Sequence, residues 1–363
     1  MTDEPPGGFV TLGDLEAIAA SKTPENVWAY VQGGAGEESS VRANRDAFHR
    51  QTLRPRVLTG VDRLDLRTSL LGVPVSAPIF VAPTAYQGLV CSDAEIATAR
   101  AARDAGVLAI FSTLSTRSLE EIAAAGAAGP RWFQLYLQPE FEESVRLVER
   151  AEKAGYRALV LTVDMPVLAN RDRQIRSGVA VEAPEGLGNG PNLRAPSRAP
   201  VREGDHYTLR GETAATWEIL DRLRARTKLP WVVKGILTAD DARRAVDHGA
   251  RGIVVSNHGG RQLDGAPASL DALPEVVEAV GSRAEVYLDS GVRRGSDILM
   301  ALALGAKAVG IGRPVLWALG VGGEAGVARL LSLLQLDLAT VMAVAGRTTI
   351  GAIDGSVLGA PRW

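Results

Sequence analysis

Trp231 to Gly260 reads WVVKGILTADDARRAVDHGARGIVVSNHGG. An apolar run, Trp231 to Val233, stops at Lys234. Thr238 and Asp241 follow with capping-box spacing, Asp standing in for Glu. Gly249 closes the helical stretch, because glycine takes the left-handed conformation after a helix without a Cβ penalty. A second run, Ile253 to Val255, then stops at Ser256, Asn257 and His258. Short β-branched and apolar runs bounded by turn signals suit strands buried on both faces. A parallel crossover between two such strands needs a dozen or more residues and usually spends them on a helix. The stretch therefore predicts one strand–helix–strand unit with polar groups at the strand ends.

The same unit recurs along the chain. Further runs are Ile79 to Ala82 (then Pro83 and Thr84), Leu108 to Phe111 (Ser112, Thr113) and Trp132 with Phe133 (Gln134, with Tyr136 just beyond). The others are Ala158 to Leu161 (Thr162, Asp164), Val286 to Leu288 (Asp289) and Ala308 to Ile311 (Gly312, Arg313). Glycines close most of the intervening stretches: Gly106, Gly126, Gly155, Gly281 and Gly305. Ser92 with Glu95 and Ser118 with Glu121 have the spacing of capping boxes. Eight strand–helix units predict an α/β fold, a (β/α)8 barrel whose chemistry sits at the C-terminal strand ends. The alternative is an open doubly wound sheet.

Length agrees with the barrel. Of 363 residues, about 250 belong to the barrel proper. The rest forms an N-terminal extension, 1–77, and an insertion after the fourth strand. The whole chain is expected to be one domain. In the extension Leu12, Leu15, Ile18, Trp28 and Val31 read as amphipathic helices covering the barrel. The acidic, Pro/Gly-rich start MTDEPPGGF lacks the features of a signal peptide, and no run reads as a membrane span. A net charge of −2 without a basic block argues against nucleic acid as a partner, and the expected location is cytoplasmic.

One cysteine, Cys91, excludes an internal disulfide and a cysteine-based zinc site, and it reads as structural. Of four histidines, His49, His206 and His248 sit in polar surroundings and read as surface residues, so no metal site is expected. His258 directly follows a buried run, which aims its imidazole into the barrel mouth. Gly259 and Gly260 remove side chains where a flat ligand approaches the backbone, and Arg261 supplies a planar cation that matches a carboxylate. Taken alone, the segment reads equally well as a barrel loop with a hydrogen-bonded histidine.

Across nearly its whole length the chain resembles the FMN-dependent 2-hydroxy-acid oxidases and dehydrogenases, such as glycolate oxidase, lactate oxidase and mandelate dehydrogenase. The resemblance is carried by WAYVQGGAG (Trp28 to Gly36), APTAYQ (Ala82 to Gln87), FQLY (Phe133 to Tyr136) and LTVD (Leu161 to Asp164). VKG (Val233 to Gly235), SNHGGRQLDG (Ser256 to Gly265), GVRRG (Gly291 to Gly295) and IGRP (Ile311 to Pro314) complete it. Within the family the chain looks most like bacterial hydroxymandelate-type oxidases. The resemblance implies FMN as cofactor, a small 2-hydroxy acid as substrate, O2 as acceptor and a homotetramer.

It also implies roles. His258 is the base, Asp164 stabilises the resulting imidazolium, and Tyr136 hydrogen-bonds the substrate oxygen. Arg171 and Arg261 hold the substrate carboxylate, with Tyr30 reaching back from the extension. Lys234 suits the flavin N1 and C2 carbonyl region, where negative charge develops on reduction. Pro83, Thr84, Ala85, Ser112, Gln134, Thr162 and Ser256 match contacts to the ring and ribityl chain. The phosphate belongs near Asp289, Gly291, Arg293, Gly312 and Arg313, after strands seven and eight.

Some positions depart from the family pattern. Ser290 replaces a glycine usual in the phosphate loop, and Asn170 stands where a second arginine is common. Leu114 occupies a place where glycolate oxidases carry tryptophan; with Tyr86, Met165 and Leu168 it leaves an apolar pocket wide enough for an aryl or longer acid. Gly178 to Gly211, rich in proline and glycine, is expected to be a poorly structured lid over the site. It lacks an apolar or basic amphipathic stretch, which favours an oxidase over a membrane-anchored dehydrogenase. Gly320, Gly322 and Ala325 match a dinucleotide fingerprint by spacing, but Val315 to Leu319 before them reads as helix where a strand is required. Other flavin barrels and a non-catalytic FMN-binding protein are disfavoured, because the His258 and Arg261 pairing and the retained Asp164 and Tyr136 belong to acid oxidation.

Overall fold

Ile79, Phe80 and Val81 are all buried, yet they feed two different cores. In the computed structural model, which describes residues 8–178, 187–190, 193, 201–203, 206–208 and 215–360, Ile79 and Val81 face the surrounding helices. Phe80 faces inward, as successive side chains on a strand must alternate. The same alternation holds around a closed ring of eight parallel strands. These are β1 (Ile79–Val81), β2 (Leu108–Ser112), β3 (Arg131–Leu135), β4 (Leu159–Thr162), β5 (Trp231–Ile236), β6 (Gly252–Val255), β7 (Glu285–Leu288) and β8 (Ala308–Ile311). Each pairs with the next, and β8 closes on β1 through Val309 opposite Ile79. The (β/α)8 expectation is met and the open-sheet alternative is not.

Inside the ring Phe80, Ile110, Trp132, Val160, Val232, Val254, Tyr287 and Ala308 form one cluster. The Tyr287 ring meets the edges of Trp132 and Phe80 at 5.6 and 6.1 Å between centroids. A hairpin, Thr68–Leu70 with Val73–Val75, plugs the N-terminal end by adding Leu70 and Val75 to this cluster. The Glu285 carboxylate pins the plug, accepting from Leu71 N–H at 3.1 Å and from the Tyr287 hydroxyl at 2.6 Å. The chain from residue 51 to 77 is thus loop and hairpin; helix in the extension ends at Arg50.

Helices follow the strands and bury one face each against the outer core. Ser118 and Glu121 form the expected capping box, and Thr238 accepts from Asp241 N–H. Ser92 does not cap its helix. Glu95 has turned inward instead, fully buried, and accepts the backbone N–H groups of Gln87, Thr116 and Arg117. That arrangement ties the loops after β1 and β2 together. Of the six closing glycines, five have positive φ, whereas Gly126 sits at −91°.

The last helix, Arg313–Val344, is long and apolar enough to cross a membrane by length and composition, contrary to the reading of the sequence. Gly322 and Gly323 break its backbone, and residues from both halves, Val315 to Leu319 and Leu330, Leu331, Leu334 and Leu338 among them, pack into the outer core. The dinucleotide-like glycines lie within this helix. Three extension helices, Leu12–Lys22, Glu25–Gln32 and Ser39–Arg50, lie over the barrel. Leu12, Leu15 and Val31 are buried there, and Trp28 packs at 6.4 Å from Trp317.

Much of the segment expected as a lid, 178–211, lies outside the described residues. Within it Gly188 N–H donates to Ser115 O, and buried Asn189 donates to Ser112 O and Thr113 O while accepting from Leu119 N–H. Val201–Glu203 pairs antiparallel with His206–Thr208.

Candidate active site

The inward alternation that builds the interior continues past the strand ends, where the residue type changes from apolar to polar. Two steps beyond Trp132 come Gln134 and then Tyr136; beyond Val160 come Thr162 and Asp164. Beyond Val232 comes Lys234, beyond Val254 come Ser256 and His258, and beyond Tyr287 comes Asp289. These ends surround a cavity at the C-terminal mouth of the barrel.

His258 Nδ1 lies 2.9 Å from Asp164 Oδ1. Burial alone raises a carboxyl pKa, but the charges of His258 and Lys234 and the hydrogen bond from His258 outweigh it and hold Asp164 below its ordinary value. An ionised carboxylate there accepts, so Nδ1 carries the proton and Nε2 presents its lone pair. Burial pushes the imidazole below its ordinary pKa; Asp164 pulls it back, and Lys234 and Arg171 add to the lowering. The result is a neutral imidazole with a fixed tautomer. Gly235 makes this contact possible: it sits at φ +107°, and a Cβ there would come within 2.5 Å of Asp164 Cβ.

One wall beside the imidazole is built for an anion. Tyr30, Tyr136, Arg171 and Arg261 line it. Arg261 Nη1 donates to the carbonyls of Tyr30 and Gly33 at 2.8 and 2.7 Å, the C-terminal end of the helix Glu25–Gln32. The guanidinium also stands 5.1 Å over the Tyr30 ring. Burial, then the nearby Asp164 carboxylate, raises the Tyr136 phenol far above its ordinary pKa, so it is a neutral donor. Asn170 is exposed and away from this wall; its carbonyl accepts from Gly36 N–H.

Across the cavity Lys234, buried, donates to Ser256 Oγ at 2.9 Å and lies 3.4 Å from Asp289 Oδ2. Pro83, Thr84, Ala85 and Ser112 line the cavity, with Thr84 Oγ1 held by the Gln87 amide at 3.0 Å. Gly291, Arg293, Gly312 and Arg313 line its far end. Gln134, Thr162, Ser256 and Asp164 are not on the cavity wall; they stand directly behind it, Gln134 accepting from Ser112 at 3.0 Å. Gln174, Val292, Gly310 and Leu316 also line the cavity and were not singled out from sequence. Gln174 had one signal, its place one helical turn after Arg171.

A model of the family described as FMN-dependent dehydrogenase matches residues 19–360. The L-lactate oxidase of Nostoc sp. is 47% identical over 96% of this chain and 98% of its own length. The 4-hydroxymandelate oxidase of Amycolatopsis orientalis is 47% identical over 95% of this chain and 96% of its own. A crystal structure of mandelate oxidase superposes with a TM-score of 0.88 at 45% identity, covering 97% of this chain and 98% of that one. The chain belongs to the FMN-dependent dehydrogenase family. It is an FMN-dependent oxidoreductase of the 2-hydroxy-acid oxidase class.

The residues present fit FMN. Gln134 Nε2 and Thr162 Oγ1 are buried without a hydrogen-bond partner among the described residues, donors and acceptors that a flavin's polar edge and ribityl hydroxyls would satisfy. At the far end burial and the charges of Arg261, Arg293 and Arg171 push Arg313 well below its ordinary pKa, and burial, then Arg45, brings Arg293 down to about 10. Arginine does not give up its proton under ordinary conditions. The physical content is a crowd of like charges that a phosphate dianion relieves. Gly312 has open space where a Cβ would stand and precedes the helix beginning at Arg313, a ready anion site. The neighbouring N-terminus at Gly295 is already taken, its N–H bonded to Asp337 Oδ2 at 2.7 Å.

Proposed function

We propose that the enzyme oxidises an (S)-2-hydroxy acid with an aryl or similarly bulky side chain to the 2-oxo acid, with O2 reduced to hydrogen peroxide. The observation that carries this reading is a single cavity holding the Asp164-oriented imidazole and the paired arginines beside an apolar wall of Tyr86, Leu114, Met165 and Leu168. FMN, when bound, supplies the two-electron acceptor. Arg171 and Arg261 grip the carboxylate by charge-assisted hydrogen bonds, each worth roughly 1.5–3 kcal/mol. Tyr136 and Tyr30 donate to the substrate oxygens. His258 Nε2 takes the hydroxyl proton, and Asp164 balances the imidazolium that results. Lys234 places a fixed positive charge across the cavity. Asn189, within the segment expected as a lid, is anchored beside Ser112 and Thr113.

The relatives' names pull in two directions, lactate and 4-hydroxymandelate, so the side-chain pocket decides. A panel of glycolate, lactate, mandelate and 4-hydroxymandelate, run first with oxygen and then with an artificial acceptor, tests it. Peroxide should form with the highest kcat/KM on the aryl acids. A preference for glycolate or lactate, or turnover only with the artificial acceptor, would sink the proposal. Leu114→Trp should penalise the aryl acids more than glycolate.

A further inference from the structure

Ser290 pays for a conformation that glycine would hold freely: its φ is +80°, in the left-handed region that side chains avoid. What the side chain contributes there is a bridge. Its Oγ accepts from Gly259 N–H at 2.9 Å and donates to Asp289 Oδ1 at 2.9 Å. The other oxygen of that carboxylate faces Lys234 Nζ at 3.4 Å. Gly259 follows His258, and His258, Gly259 and Gly260 are themselves all left-handed, at φ +57°, +69° and +74°. The glycines adopt that region freely, but His258 carries a side chain there and needs its surroundings to hold it. The first N–H of this turn is held by Ser256 Oγ and the third by Asn257 Oδ1. The middle one is held, among the described residues, by Ser290.

We propose that Ser290 is a positioning residue for His258, its hydroxyl locking the left-handed turn that carries the imidazole to the buried Asp289–Lys234 pair. The inference rests on the reading of His258 as the base, but not on the identity of the acid oxidised. Arg261, at the end of the same turn, is separately anchored to the carbonyls of Tyr30 and Gly33. Loss of the bridge therefore loosens the base and spares the carboxylate grip.

Two variants separate the hydroxyl from the backbone. Ser290→Gly removes the hydroxyl and relieves the strained φ, whereas Ser290→Ala removes the hydroxyl and keeps the strain. The groups facing the imidazole, Asp164, Lys234 and Arg171, are unchanged in both. In flavin-free protein the His258 imidazole, identified in NMR spectra by its loss in His258→Ala, should titrate at higher pH in both variants, because a loosened turn admits water. In holoenzyme kcat should fall about tenfold in both, with KM within about twofold and the acid limb of kcat/KM displaced upward. Melting should separate them, Ser290→Gly standing above Ser290→Ala. An unchanged His258 titration and kcat in Ser290→Gly, even with Ser290→Ala impaired, would overturn the proposal and leave only backbone strain. A rise in KM matching the fall in kcat would overturn it as well. Should the protein fail to bind FMN, the reading of the site fails, while the titration in flavin-free protein still decides the role of Ser290.

Discussion

The two ends of this barrel are made by the same eight strands and obey the same inward alternation, yet they do opposite work. At the N-terminal end Phe80 and Trp132 each meet Tyr287 in a T-shaped contact, a hairpin seals the floor, and the Tyr287 hydroxyl is bonded to Glu285. The indole N–H groups of Trp132 and Trp231 and the Arg131 Nε are exceptions, without partners among the described residues. A few ångströms along, the mouth buries Gln134 Nε2, Thr162 Oγ1 and Asp164 Oδ2 without partners among the described residues, and it crowds four arginines together. Burial at the floor stabilises the fold. Burial at the mouth costs stability and holds polar groups ready for ligands.

If that division is right, the two ends should fail differently. His258→Ala should keep FMN bound while flavin reduction by substrate slows by about 10²–10⁴, roughly 3–5 kcal/mol of barrel-mouth chemistry. Stopped-flow flavin reduction measures it, and an undiminished rate would remove His258 as base. Trp132→Ala should do the reverse, lowering stability by about 3–5 kcal/mol in denaturant titrations while KM and kcat of the folded fraction change little. A floor mutant with normal stability but lost activity would erase the distinction between the ends.

The floor and the mouth were not equally legible in the sequence. The eight runs and the polar residues at which they stop follow from local periodicity, which is why the barrel and the positions of Lys234, His258 and Asp289 could be read directly. Partners from distant segments could not. Glu95 has the spacing of a capping residue, but three loop N–H groups draw it into the interior. Asn189 gains its meaning from Ser112, Thr113 and Leu119, about seventy or more residues earlier. The plug at Thr68–Val75 hid because strands of three residues carry too little periodicity. Ser290 was visible as a departure from the family, while its left-handed φ and its bond to Gly259 needed the fold.

A pH titration sharpens the comparison from the mouth side. The folded-state pKa of His258 lies below its ordinary value, with burial the largest cause. As pH falls, the unfolded chain takes up that proton first, so folded stability is lost between about 6.5 and the lower folded pKa. Activity should hold its plateau above that window and decline below it, as Nε2 becomes protonated. Asp164→Asn removes the charge that pulls the pKa upward, so the acid limb of kcat/KM should move to still lower pH. The plateau should fall as well, because Asn no longer demands a proton on Nδ1. An acid limb that moved upward in Asp164→Asn would contradict the assigned electrostatics.

The smallest effect is the most discriminating, because it asks one atom to play both parts. Thr162 Oγ1 is buried at the end of β4 with no partner among the described residues, and valine has nearly the same shape. Were Thr162 part of the floor, Thr162→Val would simply repack. At the mouth the substitution removes an unsatisfied hydroxyl, so flavin-free protein should gain about 1 kcal/mol or slightly more of stability. The same change should weaken FMN, since the hydroxyl lost is one that the cofactor would use, and the dissociation constant should rise by about threefold to tenfold. Opposite signs in the two measurements, melting of flavin-free protein and FMN titration, are the signature of a group held at a cost for its ligand. Equal signs would place Thr162 with the structural residues and move the boundary between floor and mouth outward by one layer.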